Sequence, residues 1–198
     1  MEVKISHGNS KLGAIPSVSL PSIVTCRVCD CQKKCYANKL ERLRPSVRKA
    51  YQHNLDVLTN DPSTYWREVE AVIMMTRFFR FHVSGDIPNS EYLNNMVEVA
   101  RRNQHCQILC FTKRFDFVNT YLEDRTFPDN LHIIFSGWVG LEMSNPFLLP
   151  EAHVIYRDGS TTASEGAIPC GGNCTECAQT EGGCWNLKSG HQVVFHEH

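Results

Sequence analysis

Short apolar segments alternate with segments of helical periodicity through the middle of this chain, and the alternation constrains the fold more than any other feature. Each apolar segment is followed closely by Gly, Asp or Lys, and four are predicted as strands: residues 78–83, 107–111, 131–135 and 153–156. Strands that are apolar throughout and alternate with helices are typical of a parallel sheet buried on both faces. The sequence therefore predicts an α/β fold.

Helices are predicted between the strands because apolar side chains recur there every three or four positions. One helical region runs from residue 36 to about 60 and is split by Pro45, since proline breaks a helix interior. A second begins near Pro62 and runs to about Thr76, and a third covers residues 89–103. Residues 192–196 add a further predicted strand near the end of the chain.

The length of 198 residues limits the size of the sheet. A full eight-unit barrel takes about 250 residues, so an open parallel sheet or a partial (β/α) barrel is expected, with about four to six strands. We expect residues 1–159 to form the α/β core, including the N-terminal Cys loop at 26–35. Residues 160–198 are expected to form a Cys-rich extension packed on that core.

Polar residues follow several predicted strands at the point where each strand ends. Ser84, Gly85 and Asp86 follow the first of the four strands, Lys113 follows the second and Ser136 follows the third. Ligands bind at the carboxyl ends of strands in parallel α/β folds, so these ends predict a site in which Asp86, Lys113 and Ser136 are catalytic. The alternative is that they are ordinary polar loop residues.

Four cysteines fall within ten residues, at 26–35. Four thiols in so short a segment cannot all form mutual disulfides without severe strain, whereas thiolates on a tight loop can converge on one soft metal. The spacing Cys26-x4-Cys31-x3-Cys35 keeps three sulfurs on a single loop that enters a helix. These three are the predicted ligands.

A second group of four cysteines lies within fifteen residues near the end of the chain: Cys170, Cys174, Cys177 and Cys184. Two pairs of glycines in the same segment let the backbone fold closely around a metal. The pattern predicts a four-thiolate metal site. It leaves the metal open, because tetrahedral zinc and a [4Fe–4S] cluster both accept four thiolates. It also leaves open whether the two cysteine groups share one centre.

Composition narrows the class of partner and the compartment. The 20 Lys and Arg nearly balance the 21 Asp and Glu, so a general nucleic-acid-binding role receives no support. The first residues lack the apolar core of a signal peptide, and no stretch approaches the ~20 apolar residues of a membrane span. We expect a protein of a reducing cytosol, where clustered cysteines more often bind metal than form disulfides.

Several motifs together resemble the bacteriophage gene product 88 family, which occurs in phages, prophages and gut bacteria and is mostly uncharacterised. The shared motifs cover nearly the whole chain: residues 9–13, 25–26, 35–37, 82–86, 111–113, 130–131 and the closing Cys184-Trp185. The resemblance implies a phage or prophage origin more than an activity. It also implies four residues that are expected to bind a cofactor: Asn9, Lys11, Ser84 and Gly85.

The layout of the chain is also similar, more distantly, to radical S-adenosylmethionine enzymes. These place three cysteines on a loop near the N-terminus of a partial barrel, and many carry a second Cys-rich cluster site at the C-terminus. The resemblance implies one or two [4Fe–4S] clusters, an open cluster iron, S-adenosylmethionine, and a small polar substrate or an electron donor. The usual Cys-x3-Cys-x2-Cys spacing is absent here. The alternative is a non-catalytic structural or interaction module stapled by zinc.

Overall fold

A computed structural model of the chain describes residues 2–26, 31 and 34–197. Within these residues seven strands form one sheet in the order β1-β2-β3-β4-β5-β7-β6, and every neighbouring pair is parallel. The strands are β1 (Ser17–Val18), β2 (Phe78–Phe81), β3 (Gln107–Thr112), β4 (Leu131–Ser136), β5 (Glu151–Ile155), β6 (Ile168–Pro169) and β7 (Gln192–His196). The sheet is open, with β1 and β6 at its edges. The predicted α/β class and parallel sheet are confirmed.

Several helices of the described residues begin where local chemistry favours a start. They are α1 (Ser22–Thr25), α2 (Tyr36–Leu43), α3 (Pro45–Asn60), α4 (Pro62–Ile73), α5 (Ser90–Arg102), α6 (Phe115–Leu122) and α7 (Cys174–Cys177). Pro45 and Pro62 occupy first-turn positions, where a missing N–H has no effect on the helix. The side chains of Asp61 and Asn89 cap α4 and α5 by accepting backbone N–H bonds.

Chain order and sheet order coincide from β1 to β5, so each crossover steps in the same direction. Right-handed crossovers of this kind place their helices on one face of the sheet. One buried cluster accordingly joins that face to the helices, with Val57 of α3, Val69 of α4, Met96 of α5 and Val118 of α6 packed together with Phe81 of β2.

The opposite face of the sheet is covered by the two cysteine-bearing ends of the chain. A second buried cluster joins Leu109 and Ile134 of the sheet to Leu12 of the N-terminal segment and to Cys174 and Trp185 of the C-terminal segment. The C-terminal residues also supply β7, which pairs with β5 on one side and β6 on the other. The second cysteine group therefore lies against the sheet face that lacks the large helices.

Several element bounds differ from those expected of the sequence. The first predicted strand ends at Phe81 rather than residue 83, because His82 adopts a left-handed backbone (φ 61°) that cannot continue the ladder. The strand expected at 153–156 begins two residues earlier, at Glu151. The seven strands of the described part of the chain exceed the expected maximum because β1 and β6 have two residues each.

No helix in the described residues is long and apolar enough to cross a membrane.

His82 lies in a buried chain of hydrogen bonds that joins β2 to the helices. Its Nε2 is 3.0 Å from the Tyr92 hydroxyl, which is 2.8 Å from the Tyr65 hydroxyl. Burial lowers the pKa of His82 from 6.5 to about 3. The folded state therefore binds fewer protons than the unfolded chain between these two values, so stability falls as the pH drops below about 6.5.

We expect this histidine to make the protein acid-sensitive. At pH 5 the difference between the folded and unfolded pKa values of His82 lowers the free energy of unfolding by about 2 kcal/mol relative to pH 7. His82→Asn, which tolerates the left-handed backbone, should remove most of that difference in urea unfolding at the two pH values. The half-buried His53 lies outside this hydrogen-bond chain, so His53→Asn is the matched histidine control. An undiminished difference in His82→Asn would contradict the assignment.

Candidate functional site at the carboxyl edge of the sheet

Asp86 is the centre of the hydrogen bonding where β2 and β3 end. It is 4% exposed. Its Oδ1 accepts from the Thr112 hydroxyl at 2.6 Å and from the Ile87 N–H at 2.8 Å, and its Oδ2 accepts from the Lys113 N–H at 2.8 Å. Burial raises the pKa of Asp86, whereas these bonds and the Lys113 ammonium oppose that rise. The carboxyl group thus ties the ends of two neighbouring strands together.

The glycine before Asp86 allows the close approach that this arrangement needs. Gly85 has φ 85°, and a Cβ there would lie 2.6 Å from the Leu20 carbonyl oxygen and 2.8 Å from the Thr25 hydroxyl. The same Thr25 hydroxyl donates to the Pro21 carbonyl and accepts from the Asp86 N–H at 3.1 Å. Gly85 is therefore a backbone requirement of the site.

Lys113 and Ser136 come together as the sequence predicts. The Lys113 Nζ donates to the Ser136 Oγ at 2.9 Å. Lys113 is half-buried, and Ser136 is the last residue of β4. With Asp86 these residues span three neighbouring strand ends, and they offer a carboxyl group, an ammonium and a hydroxyl to a ligand at this edge.

Two members of the first cysteine group lie at the same edge. Burial, followed by the charge of Asp86, raises the pKa of Cys26 to about 12, while Lys113 lowers it and Cys35 raises it further. Cys26 follows α1 directly, and Cys35 immediately precedes α2. A thiol in such surroundings keeps its proton unless a cation replaces it.

Cys31 is disulfide-bonded in the structure, so its sulfur would have to be reduced before it served as a ligand. Cys29 lies outside the described residues. Cys26 and Cys35 are free thiols.

Glu41 is a member of this site that the sequence analysis missed. It is 6% exposed, and its Oε1 accepts from the Ser84 hydroxyl at 2.7 Å and from the Ser22 N–H at 3.0 Å. Its charge also acts on Cys26. As a charged residue of α2, Glu41 carries no sequence signal of burial. The predicted cofactor-binding residue Ser84 is thus engaged by a buried carboxylate.

The four C-terminal cysteines are neighbours on the other face of the sheet. Cys170 and Cys177 each accept a backbone N–H on sulfur at 3.4 Å, from Gly172 and Cys184 respectively. Burial raises the pKa of Cys174, and the charges of Cys177 and Cys170 add to that rise. Backbone N–H bonds of this kind stabilise thiolate over thiol, and they also tune sulfur atoms that bind iron.

Within this group one thiol is much more acidic than its neighbour. A hydrogen bond from the Cys184 thiol lowers the pKa of Cys177 to about 6, although partial burial opposes the shift. The same bond raises the pKa of Cys184. Cys177 therefore carries thiolate character near neutral pH, which is the form that binds metals.

Two buried donors on this face find no acceptor among the described residues. They are the indole Nε1 of Trp185, which is 2% exposed, and the Nε of Arg80, whose guanidinium lies 4.8 Å from the ring centre of Phe111. The charge of Arg80 lowers the pKa of Cys174. An anionic group with acceptor atoms, such as a thiolate-bound metal centre, would suit both donors.

Asn9 and Lys11 lie beside the second cysteine group rather than among the strand-end residues. The Asn9 Oδ1 accepts from the Lys11 and Leu12 N–H groups, which closes a turn. The Lys11 carbonyl accepts the Cys174 N–H at 2.9 Å, and the Lys11 charge lowers the pKa of Cys177 and Cys174.

Tyr36 lies between the two cysteine groups. Its hydroxyl donates to the Val83 carbonyl. Burial raises the pKa of Tyr36, Arg80 opposes the rise, and the charges of Cys35, Cys26 and Cys174 add to it. Cysteines from both ends of the chain are therefore close enough to one phenol to act on it.

No preformed metal site is present in the described part of the chain. Among residues 2–26, 31 and 34–197, no three His, Cys, Asp or Glu side chains are arranged so that they could hold a metal ion. The expectation of two compact ligand sets is therefore not met by the side-chain positions themselves.

Comparison with known proteins identifies relatives among phages. The family model described as gene product 88 matches residues 3–142. The chain is 31% identical to the Gene 88 protein of Mycobacterium phage L5 and 29% identical to that of Mycobacterium phage D29, each over 145 residues. The matched region covers 66% of this chain and 60% of each relative. No solved structure matches the chain.

Proposed function

The chain belongs to the gene product 88 family, and on that premise we propose that it is an iron–sulfur protein with a polar ligand site beside one of its cysteine groups. One observation carries the proposal. The free thiol of Cys26 lies within reach of the charges of Asp86, Lys113 and Cys35, so it shares the carboxyl edge of a parallel sheet with a carboxyl group and an ammonium. Ligand sites of parallel α/β folds lie at that edge.

The second cysteine group is proposed as a closed site. Cys170, Cys174, Cys177 and Cys184 would supply four thiolates, the set that [4Fe–4S] clusters and structural zinc accept. Two N–H···S bonds, the acidic thiol of Cys177 and the Trp185 Nε1, which has no acceptor among the described residues, support this assignment. The side chains would have to close around the metal on binding.

The first group is proposed as an open site. Cys26, Cys31 and Cys35 would supply three thiolates once the disulfide of Cys31 is reduced. A [4Fe–4S] cluster held by three cysteines supplies an iron with a free coordination position and a route for single electrons, and S-adenosylmethionine is a cofactor that such a position accepts. Since both groups act on Tyr36, one shared centre is an alternative arrangement of the same ligands.

The residues of the chain have separate tasks in this proposal. Asp86 holds the backbone of Lys113 through its N–H, and Ser136 holds the Lys113 ammonium at 2.9 Å. The ammonium is thereby oriented toward the strand ends, where it can bind an anionic or carbonyl oxygen of a small polar substrate. The reducing bacterial cytoplasm is the compartment in which the thiols would stay available.

Metal and sulfide analysis of protein purified without oxygen tests the proposal. We expect a brown protein with broad absorbance near ~400 nm, and iron and acid-labile sulfide in equal amounts. Lys113→Met should leave both unchanged because Lys113 is not a ligand. A colourless protein that carries stoichiometric zinc would contradict the iron–sulfur assignment and favour a zinc-stapled structural module.

A further inference from the structure

A chain of polar side chains beside β5 has no part in the proposed metal sites. The His153 Nε2 lies 3.0 Å from the Glu151 Oε2, and the His153 Nδ1 lies 2.8 Å from the Thr162 hydroxyl. His153 is 3% exposed, whereas Thr162 is exposed. A hydroxyl at the surface is thus linked through a buried imidazole to a carboxylate.

The amide side chains around Glu151 determine which atoms donate. Gln192 accepts the Ser164 N–H on its Oε1, so its Nε2 is the atom that donates to the Glu151 Oε2, at 2.8 Å. Asn145 accepts the Leu149 N–H on its Oδ1, so its Nδ2 donates to the Glu151 Oε1, also at 2.8 Å. The carboxylate is therefore held by two donors of defined orientation.

This arrangement sets the tautomer of the histidine. The Glu151 Oε2 already accepts from Gln192, so in a neutral imidazole the His153 Nε2 is the nitrogen that carries the proton and donates to it. The Nδ1 is then a lone-pair acceptor, and the Thr162 hydroxyl must donate to it. A hydroxyl that donates to an imidazole oriented by a carboxylate is the arrangement that activates nucleophilic serine and threonine residues.

Gly137 leaves room beside the reactive nitrogen. A Cβ at Gly137 would lie 2.7 Å from the His153 Nδ1 and 2.8 Å from its Cε1. Any side chain at this position would occupy the space beside the nitrogen that faces Thr162. Glycine therefore keeps the imidazole in contact with the hydroxyl.

We propose that Thr162, His153 and Glu151 form a nucleophile, base and orienting carboxylate that transfer the acyl group of small esters to water. The Thr162 oxygen bonds to the ester carbonyl carbon while its proton passes to the His153 Nδ1. The bond to the alcohol oxygen breaks, and that oxygen takes the proton from Nδ1. Water then adds to the threonine ester, releases the carboxylic acid and restores the hydroxyl.

The full chain can be tested with a fluorophosphonate probe, which reacts with activated hydroxyls. The hydroxyl oxygen bonds to phosphorus, fluoride leaves, and the proton passes to His153. Peptide mass mapping should find the adduct on Thr162, and also on residue 162 in Thr162→Ser. Thr162→Val should abolish labelling there. Thr161→Val is the matched control at an exposed neighbour and should label as the wild type does.

Glu151→Gln separates an activated hydroxyl from an accessible one. Without the carboxylate the tautomer is no longer set, and labelling should slow by at least about tenfold. Thr162→Val removes a hydroxyl from an exposed residue, so it keeps the test valid if Glu151→Gln folds poorly. Absence of an adduct at residue 162 in both wild type and Thr162→Ser, or equal labelling of a folded Glu151→Gln, would overturn the proposal. Neither outcome depends on bound metal.

Discussion

Cys174→Ser is expected to release the metal of the C-terminal cysteine group and to loosen the sheet face on which that group packs. Cys174 is buried against Leu109, Ile134 and Trp185, and it is one of the four proposed ligands. Changes to partners outside a ligand shell already weaken metal binding by about 10–100-fold, so loss of a ligand should exceed about 100-fold. Elemental analysis of purified protein and thermal unfolding measure the two effects.

Cys106→Ser is the matched control for this substitution. Cys106 is fully buried and too far from this group to share its role, because it lies in the helix-side cluster and not among the proposed ligands. It should lose some stability and retain all metal. If Cys174→Ser and Cys106→Ser retained equal amounts of metal, the four-thiolate assignment would be wrong.

Asp86→Ala is expected to produce the second large effect, and the effect is on folding. Truncation leaves three buried donors without their acceptor: the Thr112 hydroxyl and the N–H groups of Ile87 and Lys113. Each such loss costs about 1–3 kcal/mol, so the free energy of unfolding should fall by about 3 kcal/mol or more. Urea unfolding at neutral pH measures the difference.

A surface carboxylate provides the comparison. The Asp124 side chain is 72% exposed and forms one ion pair with Arg125 at 3.5 Å. Asp124→Ala should therefore change the free energy of unfolding by no more than about 0.5 kcal/mol. A similarly small change in Asp86→Ala would show that the strand ends are held by something other than this carboxyl group.

The structural role of Asp86 changes which variant reports on catalysis. Loss of activity in Asp86→Ala would follow from misplacement of Lys113 as readily as from loss of a reacting group. Lys113→Met and Ser136→Ala remove only the hydrogen bond between these two side chains, and leave the backbone N–H groups that Asp86 holds in place. These two variants are therefore the ones that separate a ligand-binding edge from a merely structural one.

The parts of the fold that sequence reasoning found are those encoded locally. Strands β2, β3 and β4 are largely apolar runs, and Pro45, Pro62 and Asn89 mark helix starts within a few residues of their effect. The meeting of Lys113 and Ser136 at one edge followed from parallel strands alone.

The parts that it missed depend on contacts between distant residues. The Cys174 N–H donates to the Lys11 carbonyl, across more than 160 residues, and no local pattern indicates this pairing. Glu41 is a charged residue, yet it is buried against Ser84. Arg80 did leave a signal, as the one charged residue in the strand Phe-Phe-Arg-Phe. The His82 backbone that ends β2 left none.

X-ray absorption at the metal edge of the full chain, purified without oxygen, tests the central claim most directly. Thiolate ligation predicts a first shell of sulfur atoms at about 2.3 Å from the metal. Cys174→Ser should reduce the number of sulfur atoms in that shell. At the iron edge, a second shell of iron neighbours would identify a cluster. A first shell of nitrogen and oxygen, or protein that carries no metal at all, would contradict the account.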